Sequence, residues 1–261
     1  MNTTAPAPAP QAQELVAPPL WRSVECISDL HLQAGHAGTF EAWRRYMAAS
    51  AADALFLLGD LFEAWVGDDV LEAEGFEAEC AEVLRAAAWR VPLFFMVGNR
   101  DFLVGQGLAQ ATGMTLLQDP TVFTFGGRRW LLSHGDALCV GDTDYQAFRA
   151  QVRGSAWQQG FLAQPLSVRQ AVARGLREES EALKATDRVY SDVDTAAALQ
   201  WLEAADAEVL VHGHTHKPGE HTLDARHRRI VLTDWDAAAT PPRLEALRIA
   251  REGTVQRVGL A

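Results

Sequence analysis

Three histidines stand at alternate positions in the sequence VHGHTHKP, which begins at Val211. Histidine is the commonest protein ligand of transition metals, and residues two apart in an extended chain point to the same side. His212, His214 and His216 therefore allow three metal ligands, two or none. Their spacing does not choose among these, because buried and turn-forming histidines are also common.

Short segments elsewhere in the chain carry the same kinds of residue. They are SDLH, LGDLF, VGNRDF and SHGD. Taken singly, each Asp, Asn or His in them could cap a turn or be a hydrogen-bonded core residue. Because turn chemistry does not explain so many segments of one kind, we expect them to meet at a single site. The seven candidate metal ligands are Asp29, His31, Asp60, Asn99, His134, His214 and His216.

This set of side chains indicates the chemistry of divalent metal ions. Carboxylate, amide-oxygen and imidazole donors suit Mn, Fe or Zn, and none of these segments contains a cysteine. Seven donors are too many for one tetrahedral ion, but they match two ions, about 3.5 to 4 Å apart, that share one carboxylate. Such a pair activates water and binds phosphoryl oxygens, so the set predicts hydrolysis at phosphorus.

The elements that must position these residues alternate between strands and helices, which is typical of α/β structure. Buried strands are predicted in RSVECISDLHL, DALFLLGDLF, VPLFFMVGN and AEVLVHGH, and helices in GTFEAWRRYMAASA, FEAECAEVLRAAAWR and DTAAALQWLEAA. TVFTFGGRRWLLSHGD predicts a hairpin that turns at Gly126 and Gly127, while HRRIVLTDW and LEALRIAREGTVQRV predict closing strands. Functional sites of α/β sheets lie beyond the carboxyl ends of strands, where the candidate ligands stand.

Composition and charge restrict the class of protein. The chain has 261 residues, 48% of them hydrophobic, and a net charge of −11, which disfavours non-specific binding of nucleic acid. Its three cysteines are widely spaced, as in proteins of a reducing compartment, and no run of about 18 apolar residues predicts a transmembrane helix. The Ala- and Pro-rich residues 1–20 predict a disordered tail rather than a signal peptide, which leaves 21–261 as one domain.

The motif order resembles that of the calcineurin-like metallophosphoesterases. D-x-H, G-D, G-N-x-D, H-G-D and G-H-x-H follow one another between residue 24 and about residue 236. The resemblance implies an α/β (α+β) fold, a β-sandwich flanked by helices, with two metals at one end and attack by water without a covalent enzyme intermediate. It assigns Asp29, His31 and His216 to one metal, Asn99, His134 and His214 to the other, and Asp60 to both. His212 has no place in this set, so we expect it to be structural.

Longer strings resemble one branch of that family, which hydrolyses an acylated UDP-sugar in lipid A biosynthesis. They are GDLFEAWVGDD, GNRDFLVG, HGDALCVGDTDYQAFR and HGHTHKP. The branch implies two Mn²⁺ ions, with Zn or Fe possible in a purified sample, and cleavage of UDP-2,3-diacylglucosamine at the α-phosphorus to give UMP. It also implies a cytoplasmic protein, a monomer or weak oligomer, bound peripherally to the cytoplasmic side of the inner membrane.

Arg100 follows Asn99, where many phosphoesterases have histidine. Its guanidinium could bind substrate phosphates and stabilise charge in the transition state, or it could simply pair with Asp101. The resemblance implies catalytic roles for Asp60, Asn99, Arg100 and His134. It implies substrate contacts for Asn99, Arg100, Asp142, Tyr145, Arg149, Ser180, Lys184 and His214, although Tyr145 could equally be a core residue. The chain departs from the branch near Ser180 and Lys184, because no Asn follows the serine as expected.

A helical insertion is predicted over residues 140 to about 190, and the resemblance makes it a lid. Between Arg149 and Arg177 it has five arginines and no acidic residue. Its apolar residues could pack against the domain, but together with the positive charge they also suit a substrate with a diphosphate and acyl chains. The apolar set comprises Trp157, Phe161, Leu162, Pro165, Leu166 and Val168.

Two other functions remain open from the sequence. The same metal site could hydrolyse another nucleotide diphosphate or a phosphodiester, although such a substrate requires no apolar lid. The chain could also be a non-catalytic scaffold on this fold, but such relatives usually lose metal ligands and all seven positions are filled here.

Overall fold

The computed structural model of the chain describes residues 9–184 and 191–260, and for residues 179–184 only the backbone. Within these ranges, two six-stranded sheets pack face to face, in the orders β1-β6-β7-β8-β10-β9 and β12-β11-β2-β3-β4-β5. The strands are β1 Gln13–Val16, β2 Ser23–Ile27, β3 Ala54–Leu58, β4 Leu93–Met96, β5 Thr115–Leu117, β6 Thr121–Phe125, β7 Arg128–Leu132, β8 Val209–His212, β9 Gly219–Thr222, β10 Arg228–Val231, β11 Glu245–Ala250 and β12 Val255–Gly259.

Alternation of side chains along the strands produces the central core. Phe56 of β3 stacks on Phe94 of β4 with ring centroids 4.8 Å apart, and it contacts Phe123 of β6, in the other sheet, at the same distance. The neighbouring residues Leu55 and Leu57 point to the opposite side of their sheet, where they contribute to a second buried cluster with the helices.

Helices cover the outer faces of both sheets. The helices α1 Ala37–Ala49, α2 Phe76–Ala88 and α3 Gln106–Thr112 pack on the second sheet, and α7 Thr195–Ala204 packs on the first. Three further helices, α4 Thr143–Val152, α5 Ser155–Leu162 and α6 Leu166–Lys184, form the insertion. The predicted α/β class, a helix-flanked β-sandwich with a helical insertion, is confirmed. Among the described residues, no helix combines the length and apolar character needed to cross a bilayer.

The N-terminal segment differs from its prediction. Composition places residues 1–20 in a disordered tail, but Gln13–Val16 form β1, which pairs in parallel with β6. The physical reason is tertiary, because Leu15 packs on the inter-sheet core and the Gln13 side chain accepts a 2.8 Å hydrogen bond from Gln118 N. The tail prediction is therefore wrong for these four residues. Residues 1–8 lie outside the described part of the chain.

The direction of the strands brings the candidate residues together. β2, β3 and β4 are parallel neighbours in one sheet, and β7 and β8 are parallel neighbours in the other. Each of these strands leads directly into one of the motif segments. The loops that carry the seven candidate ligands therefore lie at the same end of the sandwich.

Candidate metal centre and substrate cavity

The first group of donors surrounds His31 and His216. Their two Nε2 atoms face each other at 3.3 Å, and His216 Nε2 lies 3.4 Å from Asp29 Oδ1. Asp60 Oδ2 approaches this group, 3.9 Å from His31 Nε2. Donor atoms of Asp29, His31 and His216 all lie within 4.8 Å of one another, close enough to coordinate one ion.

The second group surrounds the amide of Asn99. Asn99 Oδ1 lies 3.0 Å from His134 Nε2 and 2.8 Å from His214 Nδ1. The other carboxylate oxygen of Asp60, Oδ1, lies 3.7 Å from His134 Nε2. Asp60 thus directs one oxygen toward each group, which is the arrangement required of a bridging carboxylate.

The donor set fits a pair of divalent cations. Asp29 and Asp60 are 1% and 2% exposed, so their negative charges are removed from water, and the imidazole nitrogens converge on the same space. All seven donors are oxygen or nitrogen atoms of the kinds that Mn, Fe and Zn bind. These seven side chains lie together in an arrangement that fits two divalent ions.

Left-handed backbone at the motif residues aims these side chains. Five of the seven have positive φ: Asp29 at 55°, His31 at 49°, Asp60 at 53°, His214 at 67° and His216 at 52°. Asp and His tolerate this region better than most residues, and such outliers cluster at functional sites. β8 ends at His212, so alternation in an extended strand does not place His214 and His216, contrary to the argument from their spacing.

Asp101 fixes the loops that carry two of the donors. Its buried carboxylate accepts hydrogen bonds from the main-chain N–H groups of Gly98 at 2.7 Å and Leu61 at 2.8 Å. The sequence leaves open an ion pair between Arg100 and Asp101, but the Asp101 carboxylate binds these main-chain groups instead. The Arg100 guanidinium instead lies 3.7 Å from Glu63, and its main-chain N–H donates to Asp60 Oδ1 at 2.7 Å.

The protonation of the buried histidines differs across the site. Burial lowers the pKa of His134, but the charges of Asp60 and Asp29 outweigh this effect and raise it to about 9, so a metal ion held by this imidazole would replace its Nε2 proton. Burial, together with the charge of His134, lowers the pKa of His214 to about 4. His214 is therefore neutral at pH 7, which leaves its ring able to donate a lone pair to a metal.

His212 lies outside both groups of donors. It is fully buried at the end of β8, where Nδ1 lies 2.8 Å from Gly213 O and Nε2 lies 3.4 Å from Arg229 Nη1. Burial lowers its pKa to about 4. Its ring packs so closely on Gly135 that a side chain at that position would contact Nδ1 at 2.9 Å. The structure thus places His212 in a packing position, as expected from the sequence.

A cavity of about 910 Å³ opens beside the donors. His31, Asp60, Asn99, His214 and His216 line its floor together with Arg100. Its wall toward the insertion is apolar and comprises Trp65, Phe102, Leu103, Trp157, Phe161 and Leu176. Both an anionic group and a hydrophobic chain can be accommodated in one continuous space.

Comparison with known proteins agrees with this geometry. The sequence profile of the calcineurin-like phosphoesterases matches residues 24–218, which is most of the chain. The chain belongs to the calcineurin-like phosphoesterase family. Two curated relatives are named UDP-2,3-diacylglucosamine hydrolase. The relative from Bordetella pertussis is 46% identical over 90% of this chain and 93% of its own length, and that from Xanthomonas campestris pv. campestris is 43% identical over 87% and 96%. The phosphoesterase is therefore a hydrolase, as the donor set predicts.

The predicted substrate contacts of this phosphoesterase lie in different positions relative to the cavity. Asp142 lines it and caps α4, accepting a 3.2 Å hydrogen bond from Tyr145 N. Tyr145 also lines it, with its ring stacked on His214 at a centroid distance of 5.9 Å. Arg149 lies beneath, donating from Nε to Asp136 at 2.7 Å. The side chains of Ser180 and Lys184 lie outside the described residues.

The arginines of the insertion have partners on the core of the phosphoesterase. Arg153 donates to Gly98 O at 2.8 Å, and Arg169, only 2% exposed, forms a bidentate pair with Asp69. Arg177 donates to Gln33 at 2.7 Å. These contacts indicate that the positive charges of the insertion serve largely to dock it on the core, a role that the sequence did not predict for them.

Two acidic residues that lie beside the site, Glu63 and Asp136, were not identified from the sequence. Both stand within quoted motifs, GDLFE and HGD, but neither is at a position that the motif order marks as a ligand. Asp136 is fully buried, and Glu63 lines the cavity with a 14% exposed side chain. The sequence did contain one indication of these acids. The insertion has five arginines and no acidic residue between 149 and 177, and a buried positive charge requires an acidic partner elsewhere in the chain.

Proposed function

We propose that the chain hydrolyses the diphosphate bond of UDP-2,3-diacylglucosamine, giving UMP and 2,3-diacylglucosamine 1-phosphate in lipid A biosynthesis. The observation that carries this proposal is the continuity of the cavity, in which the apolar wall of the insertion begins beside Arg100 and the metal donors. A substrate with a diphosphate and two acyl chains matches both surfaces. The names of relatives that are 43% and 46% identical support the same substrate.

Two Mn²⁺ ions complete the site in this proposal. Asp29, His31 and His216 would hold one ion, Asn99, His134 and His214 would hold the other, and Asp60 would contribute to both. When bound, the ions supply the activation of water and the neutralisation of phosphoryl oxygens. Oxygen donors beside imidazoles admit Mn²⁺, which the resemblance to the branch implies, and Zn and Fe suit the same set.

The residues of the chain position the reacting groups. His134 Nδ1 donates to Leu58 O at 3.0 Å, which directs Nε2 toward Asn99 Oδ1, 3.0 Å away among the metal donors. Arg100, at the cavity floor, binds a diphosphate oxygen and stabilises the charge that develops as water attacks the α-phosphorus. The Tyr145 hydroxyl is engaged by Asp136 at 2.6 Å, so the residue presents its ring rather than a free hydroxyl. Asp142 has the position to accept a hydrogen bond from the sugar.

The insertion provides the surface for the acyl chains. Leu162, Val168, Val172 and Leu176 remain 40–43% exposed, and the last two also line the cavity. An apolar surface at the mouth of the cavity would let acyl chains pass from a bilayer into the site without crossing water. We accordingly assign the chain a peripheral position on the cytoplasmic side of the inner membrane, as the branch implies.

A panel of three substrates tests the proposal. UMP release is measured from UDP-2,3-diacylglucosamine and UDP-GlcNAc, and cleavage is measured for a generic phosphodiester, each with Mn²⁺ and with a chelator. Each methylene buried is worth about 0.8 kcal/mol, so burial of four predicts a preference of at least about 100-fold in kcat/KM for the acylated substrate. Equal activity on UDP-GlcNAc would instead support a hydrolase of soluble nucleotides.

A matched pair of tryptophan variants locates the origin of the preference. Trp157→Ala opens the apolar wall, where Trp157 stacks on Phe161 with centroids 4.8 Å apart. Trp89→Ala removes an 86% exposed tryptophan outside the cavity and serves as the control. We expect the first variant to reduce the preference for the acylated substrate and the second to leave it unchanged.

A further inference from the structure

Glu63 lies where the metal donors, the substrate-binding arginine and the insertion meet. Its Oε2 is 3.1 Å from His31 Nδ1, and its Oε1 is 3.7 Å from Arg100 Nη1 and 3.4 Å from Arg177 Nε. The side chain is 14% exposed, so solvent screens these contacts only weakly. The motif order assigns no role to this position.

The main chain holds Glu63 beside His31 independently of the arginines. Glu63 N donates to Leu32 O at 3.1 Å, and Phe62 and Leu32 form an isolated parallel bridge. The carboxylate therefore belongs to the same rigid unit as the loop that carries His31. The 3.1 Å contact with Nδ1 has an ion-pair distance, with an alignment short of a full hydrogen bond.

The Glu63 carboxylate contacts functionally different partners at its two oxygens. On one side, His31 directs Nε2 toward the other metal donors and Nδ1 toward Glu63, the arrangement in which a carboxylate sets the orientation and tautomer of a metal-binding imidazole. On the other side, Arg177 belongs to α6 and also donates to Gln33 at 2.7 Å. The position of α6 and the orientation of the His31 ring thus depend on one side chain.

We propose that Glu63 is a positioning residue with two separate roles, one in orienting a metal-binding imidazole and the other in holding the arginines of the substrate cavity and of the insertion. It orients His31 through one oxygen, and through the other it holds Arg100 at the cavity floor and receives Arg177 from the lid. The inference rests on the proposed function only for the substrate used to measure KM. Metal binding by the chain tests it without any substrate.

Three variants separate the contact of Glu63 with His31 from its contacts with the two arginines. Glu63→Ala removes all of these contacts. Glu63→Gln keeps an oxygen that can accept from His31 Nδ1, and Arg177→Met removes only the contact with α6. Glu41→Gln is the matched control, because Glu41 forms an exposed ion pair with Arg44. The four variants and the wild type are compared by Mn²⁺ titration without substrate, by kcat and KM, and by melting temperature.

We expect Glu63→Ala to weaken one of the two Mn²⁺ sites about 10- to 100-fold, in the range found when partners of metal-binding histidines are lost. Glu63→Gln should recover most of that affinity but not the KM, since it cannot pair with two guanidinium groups. Arg177→Met should raise KM for the diacylated substrate while Mn²⁺ affinity stays within about twofold. The control should match the wild type in every measurement.

Wild-type Mn²⁺ affinity in Glu63→Ala would overturn the proposal, and so would an equal loss of affinity in Arg177→Met. If Glu63→Ala does not fold, the split between Mn²⁺ affinity and KM in Glu63→Gln decides the question, and an absence of that split overturns the proposal. Failure of the wild type to cleave UDP-2,3-diacylglucosamine would refute the proposed function alone, because the Mn²⁺ titration would still measure the effect of Glu63.

Discussion

The hydroxyl of Tyr145 donates a 2.6 Å hydrogen bond to the buried carboxylate of Asp136. Asp136 stands in the turn that follows β7, two residues after His134, whereas Tyr145 lies in the first helix of the insertion. Arg149, one helical turn later, donates to the same oxygen at 2.7 Å. The insertion therefore begins on an anchored helix, and this anchor holds the ring of Tyr145 against His214.

Asp136→Asn should destabilise the protein substantially. The change removes the charge that balances Arg149, whose side chain is 23% exposed, and breaking such a largely buried pair costs about 2 to 4 kcal/mol. Tyr145→Phe removes one hydrogen bond and should cost about 1 kcal/mol. Urea denaturation of both variants measures the free energy of unfolding. Equal losses in the two variants would show that the charge of Asp136 is not what anchors α4.

Asp60→Ala should abolish activity. The residue directs one carboxylate oxygen to each group of donors, so its loss removes a ligand from both proposed ions. We expect at least about a 1,000-fold fall in UMP release and fewer than two ions bound per chain, measured by elemental analysis. Near-normal turnover in this variant would exclude a mechanism that requires a bridging carboxylate.

Arg100→Ala should reduce turnover without removing metal. Loss of one group that stabilises transition-state charge typically lowers kcat about 100-fold, and Arg100 is not among the proposed ligands. Arg85→Ala, which removes an exposed arginine paired with Glu82, is the control and should keep wild-type kcat. Unchanged kcat in Arg100→Ala would refute its assigned role, and loss of metal would assign it a structural one.

Gly98→Ala should displace the bridging carboxylate. A Cβ at Gly98 would overlap the main-chain nitrogen and Oδ1 of Asp60, which Asp101 prevents from moving away. Overpacking of this kind typically costs about 1 to 3 kcal/mol, and we expect activity to fall with stability. Gly160→Ala is the control, because its Cβ would meet open space. Melting temperature and UMP release are measured together, and wild-type values for Gly98→Ala would contradict this packing.

The pair formed by Asp192 and Arg229 should add stability that acid removes. The hydrogen bond from Arg229 lowers the pKa of Asp192 to about 2, from an ordinary value of 3.8. The folded state then binds fewer protons than the unfolded state between these values, so the contribution is present above about pH 4 and disappears toward pH 2. With chelator present, wild type should exceed Asp192→Asn in unfolding free energy at pH 5 and match it near pH 2. A difference independent of pH would contradict the assignment.

Much of the site follows from the sequence because its residues stand at the ends of strongly apolar strands. Continuous apolar runs locate β3 and β4, so the motifs LGD and VGN that follow them lie at the carboxyl ends of these strands. Other features depend on tertiary contacts. The left-handed backbone of Asp29 has no signature in the sequence around it. The ion pair between Arg169 and Asp69 has none either, because its partners are 100 residues apart. The strand β1 was also not predicted, because its four residues lie in an Ala- and Pro-rich segment.

The decisive measurement is a titration in which Mn²⁺ is added to the metal-depleted protein and UMP release from UDP-2,3-diacylglucosamine is recorded. We expect no release without added ion, and a rate that rises until two equivalents are bound per chain. The Asp60→Ala variant, titrated in parallel, should show no rise at any Mn²⁺ concentration. Full activity in the metal-depleted protein, or saturation at one equivalent, would contradict a hydrolase with two ions bridged by Asp60.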